Sequence, residues 1–446
     1  MTRKYFGTDG VRGHVGQHPM TVDFALRLAS SAARVLAPNG GVALVGKDTR
    51  LSGYMFEAAL EAGFVAAGID VMLIGPLPTP GIAYLTRRFE CSFGVVISAS
   101  HNLYEDNGIK FFDSEGGKLS DQIEVDIERY LEETAITRES GALGRAVRVD
   151  RSRVKYQEFC ASTIPRGMSL AGFKLVIDCA NGAGYKVGPR LLADLGAEIV
   201  PIGCSPNGRN INDGCGAVHP ELLQLTVPGV RAHAGIALDG DGDRLVMVDE
   251  HGQIVDGDQL LYIIATARKA KNELVGPVVG TVMSNLGLEH ALTAQAIEFR
   301  RAQVGDRYVL AMLRETGGLI GGETSGHLLC LDRATTGDAL VAALQVLAIM
   351  RETGQSLAEL AAPVRRYPQV LENVRVAQRI DPLASPMIQE AVSLAQLKLG
   401  EAGRVVLRPS GTEPVIRVMV EGRDEHTVRQ LASSLAATVA AAADAA

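Results

Sequence analysis

Three aspartates, Asp239, Asp241 and Asp243, stand at every second position near the middle of the chain, at the end of an apolar run that starts at Gly235. Carboxylates this close repel one another, and the glycines between them remove side-chain bulk and allow the turns that aim all three at one point. A bound cation explains the arrangement. Oxygen ligands suit a hard ion such as Mg²⁺, which leaves positions open for phosphate oxygens. The pattern therefore predicts a Mg²⁺ site, with a solvated acidic turn as the alternative.

An EF-hand is the main competing interpretation, because the aspartates and Glu250 fall at ligand positions of such a loop. It fails at Arg244, which stands where an EF-hand requires glycine. The following residues, 245–248, are Leu-Val-Met-Val, which is typical of a strand.

Composition limits the function classes. The 446 residues, with 47% hydrophobic and 21% charged, fit a globular protein of about three or four domains. A net charge of −7 argues against a nucleic-acid binder, so local arginines and backbone amides must hold any anionic ligand. No apolar run reaches the ~18 residues of a membrane span, and residues 435–446 predict a fraying amphipathic helix. Six scattered cysteines without a C-x-x-C pair, and no apolar signal segment at the start, predict a reduced cytoplasmic protein with no membrane partner.

Helix and strand patterns alternate from residue 21 to about 350, which predicts an α/β architecture with parallel or mixed sheets. The first expected elements are a helix at 22–37, a strand at 42–45, a helix at 54–67 and a strand at 71–74. Three apolar strands, 93–97, 234–238 and 319–321, lead into polar loops rich in glycine or serine. Open α/β sheets bind ligands beyond the carboxyl ends of their strands. We therefore expect three domains each to contribute one loop to a shared cleft.

Four domains are predicted, at 1–148, 149–252, 253–366 and 367–446. A polar stretch at 137–144 marks the first boundary and precedes a helix expected from about Val149, and Pro363 and Pro368 mark the last. The last domain has the pattern of a small α+β unit, with a helix at 388–399, strands at 405–407 and 415–420, and a helix from 425 onward.

Ser100 lies in the polar loop after the strand at 93–97, with His101 and Asn102 beside it. Its hydroxyl is expected at a strand end, where a nucleophile belongs. The loop lacks the flanking glycines of a nucleophile elbow, which disfavours acyl chemistry of the hydrolase type. Beside a cation, a serine phosphate would add an oxygen ligand, and the cation would neutralise phosphoryl charge during transfer. The alternative interpretation, for the loop taken alone, is an ordinary turn.

A second loop, near residue 410, combines hydroxyls, backbone N–H groups and guanidinium groups that suit a phosphate. Its candidate ligands are Arg408, Ser410, Thr412 and Arg417. A Pro-Gly hairpin with incidental arginines is the alternative. Arg12 and Arg50 would add positive potential, unless they are ordinary surface residues.

A third loop, 322–327, offers Glu323 and Ser325 for sugar hydroxyls and His327 as a group that titrates near neutrality, against the alternative of a solvated turn. Lys110 is a second acid/base candidate, because a nearby cation would lower the pKa of a lysine. The alternative is an exposed lysine without a catalytic role.

Taken together, five motifs resemble those of the α-D-phosphohexomutases, in the same order along residues 6 to 417. They lie at 6–13, 98–102, 239–244, 322–327 and 408–414. The serine and aspartate motifs fit without substitution, whereas Asp306 follows Gly305 where relatives often have a histidine. The resemblance implies three similar α/β domains with mixed sheets and a C-terminal α+β domain like the TATA-binding protein, around a central cleft.

The resemblance also implies roles for individual residues. Ser100 would be a phosphoserine and a metal ligand, with Asp239, Asp241 and Asp243 as the other Mg²⁺ ligands. Lys110, His327 and Arg12 would be catalytic. The substrate-binding set would be Glu323, Ser325, Arg244, Arg408, Ser410, Thr412 and Arg417.

The implied reaction moves a phosphoryl group within a small hexosamine phosphate. The phosphoserine gives its phosphoryl to the free oxygen, and the 1,6-bisphosphate then turns round and returns the other phosphoryl, so that glucosamine 6-phosphate becomes glucosamine 1-phosphate. Mg²⁺ and glucosamine 1,6-bisphosphate as primer are the implied cofactors, and a homodimer is left open. The residues leave three alternatives: a phosphomannomutase/phosphoglucomutase, a Mg²⁺-dependent sugar phosphatase and a non-catalytic sugar-phosphate-binding protein.

Overall fold

A computed structural model describes residues 3–376, 384–409 and 415–444. The chain divides into two compact units. The larger unit comprises Met1–Thr281 and Ala302–Ala362, and the smaller one comprises Val282–Arg301 and Pro363–Ala446. No helix in the described ranges is long and apolar enough to cross a membrane. All six cysteines fall within these ranges, and each is a free thiol.

The first sheet of the larger unit has the strand order β1-β5-β4-β2-β3-β6 and is mixed, since β5 runs antiparallel to both of its neighbours. Its elements are β1 (Val11–His14), α1 (Val22–Leu36), β2 (Gly41–Lys47), α2 (Ser52–Ala66), β3 (Ile69–Pro76), α3 (Thr79–Arg88), β4 (Phe93–Ile97), β5 (Asp106–Phe112), α4 (Asp121–Tyr130) and β6 (Ala146–Arg148). All of β4 is buried, as its continuous apolar sequence predicts for a central strand covered on both faces.

The second sheet has the order β11-β10-β9-β7-β8. Its elements are α5 (Ser152–Ser162), β7 (Lys174–Asp178), α6 (Val187–Asp194), β8 (Glu198–Ile202), α7 (Glu221–Gly229), β9 (Ala234–Leu238), β10 (Leu245–Asp249) and β11 (Ile254–Val255). Strand β9 runs parallel to β7 and antiparallel to β10. The helix expected from about Val149 begins at Ser152, because Arg151 adopts a left-handed conformation before it.

In the third sheet, β14 runs parallel to β12 and antiparallel to β15. The elements of this part of the chain are α8 (Gly257–Ala270), β12 (Val278–Thr281), α9 (Leu286–Ala294), β13 (Phe299–Ala302), α10 (Asp306–Thr316), β14 (Ile320–Gly322), β15 (Leu328–Cys330), α11 (Ala339–Thr353) and α12 (Leu357–Ala361). The strand expected at 319–321 is thus one residue later. Mixed sheets and helices in three successive sections confirm the predicted α/β class.

The smaller unit contains an antiparallel sheet of order β16-β18-β17. Its elements are β16 (Gln369–Arg375), α13 (Pro386–Leu399), β17 (Gly403–Pro409), β18 (Val415–Gly422) and α14 (Glu425–Asp444), close to the predicted α+β pattern. Leu435 and Val439 of α14 are buried in the core of this unit. The described part of the alanine-rich end is therefore packed, contrary to the expectation of fraying.

The smaller unit also includes the segment Val282–Arg301, with helix α9. Glu421 accepts a hydrogen bond from the N–H of Leu286 at 2.8 Å, and Arg404 donates to the carbonyl oxygens of Val282 and Ser284. These contacts join α9 to strands β17 and β18.

Candidate active site

The three aspartates lie in the turn between β9 and β10, in the second sheet. One carboxylate oxygen of each of Asp239, Asp241 and Asp243 lies within 4.8 Å of those of the other two, and all three residues are buried. Residues Leu245–Asp249 pair with β9 as an antiparallel strand, which excludes the EF-hand interpretation. The turn thus brings the carboxylates to one point at the end of a buried strand, as predicted.

The glycines of this turn have two separate roles. A Cβ added to Gly240 would lie 2.5 Å from the carbonyl oxygen of Ser100, so only glycine allows the aspartate turn to approach the serine loop this closely. Gly242 has a φ of +72°, in the left-handed region that side chains rarely adopt. One glycine therefore allows the approach and the other allows the turn.

Ser100 meets the aspartate turn directly. Its Oγ donates a hydrogen bond to Oδ2 of Asp239 at 2.6 Å, across 139 residues of sequence. The residue has a φ of +52° and is buried. Its carbonyl oxygen accepts hydrogen bonds from Arg50 Nη2 at 3.1 Å and Asn212 Nδ2 at 2.9 Å, so the main chain of the serine loop is held by both the first and the second sheet sections.

The donor set fits a divalent cation. Oδ1 of Asp241 and Oδ1 of Asp243 are buried and have no hydrogen-bond partner among the described residues. A buried carboxylate oxygen without a donor is costly, and a cation would satisfy it. Burial, together with the charges of Asp243 and Asp241, raises the pKa of Asp239 well above its ordinary value, which is the repulsion that a cation would relieve.

Lys110 is buried beside these carboxylates. Its Nζ donates to Oδ2 of Asp241 at 2.8 Å and lies 2.7 Å from Oδ2 of Asp9. Burial alone would lower the pKa of Lys110, but Asp241 and Asp9 outweigh it and raise the pKa. The lowered pKa expected beside a bound cation stays a prediction, because the raised pKa reflects the contacting carboxylates alone. Arg12 is held next to the same group through an ion pair with Asp9.

His327 lies between two carboxylates. Its Nδ1 is 3.7 Å from Oδ2 of Asp243, and its Nε2 is 3.3 Å from Oδ2 of Asp306. Burial alone would lower the pKa of His327, but Asp306 and Asp243 raise it to about 9. His327 was expected to titrate near neutrality. The raised pKa instead favours a protonated imidazole, which can donate a proton.

The loop after β14 carries the residues predicted to bind sugar hydroxyls. Glu323 is partly buried, and its Oε1 accepts a hydrogen bond from the N–H of Gly305 at 2.9 Å. Ser325 is exposed on the same loop. Burial would lower the pKa of Arg244, but Asp243 and Asp239 raise it, and Glu323 acts in the same direction. The larger unit therefore gathers Ser100, the aspartates, Lys110, Arg12, Arg244, His327 and Glu323 around one region.

The predicted phosphate-binding residues belong to the smaller unit. Arg408 on β17 and Arg417 on β18 are paired directly opposite each other in the antiparallel register. Both are partly exposed. Ser410 and Thr412 lie outside the described residues. The structure thus places two guanidinium groups on one face of this sheet.

Sequence reasoning missed several residues that hold the site together. Thr79, the first residue of α3, donates to Oδ2 of Asp241 at 2.7 Å, and Asn212 binds the carbonyl oxygen of Ser100. No local signal marks either one. Arg50 was expected to add positive potential, but it is fully buried, paired with Asp48, and bonded to carbonyl oxygens of the serine loop, so its role is structural.

Family models for phosphoglucomutase/phosphomannomutase match nearly the whole chain. The alpha/beta/alpha domains I, II and III match residues 3–137, 155–252 and 256–367, and the C-terminal domain matches residues 371–438. The chain therefore belongs to the phosphoglucomutase/phosphomannomutase family of phosphohexomutases, and it is an enzyme of the isomerase class.

Among its relatives are proteins named phosphoglucosamine mutase. The one from Thioalkalivibrio sulfidiphilus is 57% identical over 448 residues, covering 100% of this chain and 99% of the relative. The one from Methylococcus capsulatus is 55% identical over 444 residues, covering 99% of each. The similarity thus extends over the full length of both relatives.

Solved structures share the fold. A phosphoglucomutase/phosphomannomutase family protein from Burkholderia thailandensis has a TM-score of 0.81 at 24% identity, with 99% of this chain and 98% of that chain covered. N-acetylphosphoglucosamine mutase from Aspergillus fumigatus, solved with GlcNAc-6P and magnesium, has a TM-score of 0.71 at 19% identity, with coverage of 99% and 96%. At these identities the likeness supports the multi-domain α/β fold.

Proposed function

We propose that this enzyme interconverts glucosamine 6-phosphate and glucosamine 1-phosphate through a phosphoserine at Ser100 and a glucosamine 1,6-bisphosphate intermediate. The observation that carries the mechanism is the 2.6 Å hydrogen bond from Ser100 Oγ to Asp239, which places the hydroxyl on the aspartate cluster. Full-length relatives named phosphoglucosamine mutase support the choice of sugar. The product would supply amino-sugar nucleotide and cell-wall precursor synthesis.

Asp239, Asp241 and Asp243 would hold the Mg²⁺ ion, and a phosphate on Ser100 would complete the ligand set. When bound, the ion would neutralise charge on the phosphoryl group during transfer. Since the transition state of phosphoryl transfer is loose, most of the remaining catalysis must come from positioning and charge. The hydrogen bonds from Thr79 to Asp241 and from Asn212 to the carbonyl oxygen of Ser100 would supply that positioning.

Two groups are candidates for the proton transfers, and both fit the proposed chemistry. In each transfer one of the two groups, in its neutral form, would take the proton of the attacking sugar hydroxyl, and the other, in its protonated form, would give a proton to the Ser100 oxygen as its bond to phosphorus breaks. His327, with its pKa of about 9, and Lys110, which two carboxylates keep charged, both lie beside the aspartates. Arg12, beside Asp9, would add charge stabilisation for the phosphoryl oxygens.

Two groups of residues are proposed to bind the substrate. Glu323 and Ser325 would bind sugar hydroxyls, and Arg244 would bind phosphate or sugar oxygens. Arg408, Ser410, Thr412 and Arg417 would hold the phosphate that is not being transferred. Arg408 and Arg417 stand opposite each other in the strand register, and a phosphate between them would form charge-assisted contacts with both guanidinium groups.

Several further assignments belong to this proposal. The enzyme would act in the cytoplasm on a small-molecule substrate, need Mg²⁺ and the bisphosphate primer, and have four domains at 1–148, 149–252, 253–366 and 367–446. The enzyme would be a monomer or a homodimer. Strict use of glucosamine, as opposed to glucose or mannose phosphates, is the most specific part of the proposal.

Two measurements test the proposed function: the intact mass of the enzyme and its steady-state kinetics. We expect the intact mass of the purified enzyme, after incubation with glucosamine 1,6-bisphosphate and Mg²⁺, to show one added phosphate at Ser100. We also expect kcat/KM for glucosamine phosphate to exceed the values for glucose and mannose phosphates. A higher value for glucose or mannose phosphate would instead identify a phosphomannomutase/phosphoglucomutase. Stoichiometric release of inorganic phosphate without isomerisation would identify a phosphatase, and absence of both reactions would leave a binding protein.

A further inference from the structure

Six buried or partly buried charged groups form a closed ring beside the aspartate turn, with positive and negative members in alternation. In order of contact, the members of this charge ring are Lys110, Asp9, Lys118, Asp306, His327 and Asp243. Each side chain is at most 20% exposed. The ring therefore lies mostly away from water, where partners affect one another strongly.

Three members of the ring, Asp9, Lys118 and Asp306, have no role in the proposed chemistry. Lys118 lies 2.7 Å from Oδ1 of Asp9 and forms an ion pair with Asp306. Asp306 is the first residue of α10, and its Oδ2 lies 3.3 Å from Nε2 of His327, an ion-pair contact outside hydrogen-bond geometry. Lys118 and Asp306 thus connect the carboxylate beside Lys110 to the imidazole of His327.

The rest of the ring consists of groups assigned to the reaction or in direct contact with them. His327 Nδ1 lies 3.7 Å from Oδ2 of Asp243, and the same oxygen lies 3.9 Å from Lys110 Nζ. On the other side, Asp9 contacts Lys110 at 2.7 Å. Both proton-transfer candidates are therefore held on one side by a proposed metal ligand and on the other by the Asp9-Lys118-Asp306 segment.

Asp306 is itself fixed by its neighbours in sequence. The N–H of Gly305 donates to Glu323 Oε1 at 2.9 Å, which ties the start of α10 to the loop that carries His327. Arg307 Nη2 donates to Glu124 Oε1 at 2.8 Å, which ties it to α4 of the first sheet section. With the backbone anchored on both sides, the carboxylate of Asp306 has a defined place from which to orient the imidazole.

We propose that Lys118 and Asp306 are positioning residues for the phosphoryl transfer, which fix the imidazole of His327 and, through Asp9, the ammonium of Lys110 relative to the aspartate turn. This inference rests on the proposed mutase function. Neither residue needs to touch the sugar or the phosphoryl group. Their effect is to hold two chemically active groups, from different sheet sections, in one geometry.

The first experiment compares kinetics of the phosphorylated enzyme. Asp306→Asn keeps the side-chain shape and removes the charge, and we expect kcat to fall about 10- to 100-fold while KM changes by less than about threefold. Glu57→Gln is the matched control, because Glu57 forms an even more deeply buried ion pair with Lys47, at 2.7 Å, outside the ring. We expect kcat of the control to stay within about threefold of wild type. An equal fall in both variants would overturn the proposal, since it would reflect general loss of a buried ion pair.

The second experiment is a double-mutant cycle with Lys118→Met. If Lys118 acts on His327 through Asp306, the double variant Lys118→Met/Asp306→Asn should have a kcat within about threefold of Asp306→Asn alone. If the double variant instead lowered kcat by the product of the two single effects, the result would contradict the proposed connection. The double variant also removes one charge of each sign, so it keeps the net charge and remains testable where a single variant fails to fold.

The third measurement does not depend on turnover. In protein labelled with ¹⁵N-histidine, with the His327 signals assigned by their loss in His327→Gln, we expect the ring-nitrogen shifts of His327 to change in Asp306→Asn and Lys118→Met but not in Glu57→Gln. Unchanged shifts in both ring variants would overturn the proposal. If the wild-type enzyme fails to turn over glucosamine phosphates, the proposed function fails, whereas these shifts still report whether Lys118 and Asp306 orient the imidazole.

Discussion

The two units arrange their charged groups in opposite ways. In the larger unit, lysines and carboxylates of the candidate active site alternate and pair within the protein, as in the contact of Lys110 with Asp9 and Asp241. In the smaller unit, Arg408 and Arg417 stand opposite each other with the same charge. Two guanidinium groups in that position suit a phosphate ligand. The first arrangement is preorganised without ligand, whereas the second is one that a ligand phosphate would complete.

The smaller unit also contains an arginine with a structural role, Arg404. Arg404 pairs with the fully buried Glu421 and donates to the carbonyl oxygens of Val282 and Ser284. Its partners all come from the protein itself. Arg404 and the Arg408–Arg417 pair therefore offer an internal comparison between structural and proposed ligand-binding arginines.

The largest effect expected is in the preorganised region. Ser100→Ala removes the proposed phosphoryl carrier, and we expect a loss of kcat of at least about a thousandfold, by analogy with other nucleophile deletions. Ser31→Ala is a matched control, because Ser31 is as buried as Ser100 and its hydroxyl binds only the carbonyl oxygen of Arg27 in α1 among the described residues. Steady-state kinetics with primer would contradict the assignment if Ser100→Ala kept more than about a tenth of wild-type kcat.

Asp241→Asn tests the metal site. The variant keeps an oxygen that can accept from Thr79 and Lys110, but it removes one negative charge, and we expect Mg²⁺ affinity to fall by about a hundredfold, with activity partly recovered at high Mg²⁺. Asp178→Asn, at the end of the neighbouring strand β7 and outside the cluster, is the control. Calorimetry on phosphorylated and dephosphorylated enzyme sharpens the test, since equal Mg²⁺ affinity in the two forms would argue against a shared site with Ser100.

Arg417→Ala tests the region that a ligand would complete. We expect kcat/KM to fall about ten- to a hundredfold, the cost of one charge-assisted contact of roughly 1.5 to 3 kcal/mol. The loss should be the same in both reaction directions and for glucosamine and glucose phosphates. Arg429→Ala, at an exposed arginine of α14, should leave the kinetics unchanged. A loss confined to one sugar would mean that Arg417 recognises the sugar ring. The comparison between the paired charges of the larger unit and phosphate-binding arginines in the smaller unit would then fail.

The smallest effect concerns the stability that a ligand adds. Arg408→Met removes one proposed phosphate ligand, so glucosamine 6-phosphate should raise the Tm of the wild type more than that of the variant. Thermal unfolding with and without this ligand measures the difference. An equal rise in Tm in both proteins would argue against Arg408 as a phosphate ligand.

Features encoded by neighbouring residues could be predicted from the sequence. Strands at 93–97 and 234–238 are continuous apolar runs that end in glycine-rich or serine-rich loops, and the structure has them at those positions. The aspartate turn follows from alternating aspartate and glycine. Most other differences are shifts of one to three residues, as at the start of α5.

Features made by distant pairs could not be predicted. Lys118 and Asp306 are separated by 188 residues, and nothing near either one indicates that they meet. The pKa of Lys110 was expected to fall because only the cation was considered, whereas the structure adds Asp9 from the start of the chain. Arg50 was likewise expected to add positive potential, but the buried carboxylate of Asp48, two residues earlier, pairs with it.

The hydrogen bonds to the carbonyl oxygen of Ser100 have a consequence for how the sugar moves. Arg50 and Asn212 fix the backbone of the serine loop, and Gly240 lies against it too closely for any side chain. The nucleophile therefore has little freedom to travel between the two ends of a bisphosphate. In the proposed reaction it is therefore the sugar that moves. The bisphosphate must present its two ends in turn to a stationary serine, so turnover includes a rotation of the intermediate without its release from the enzyme.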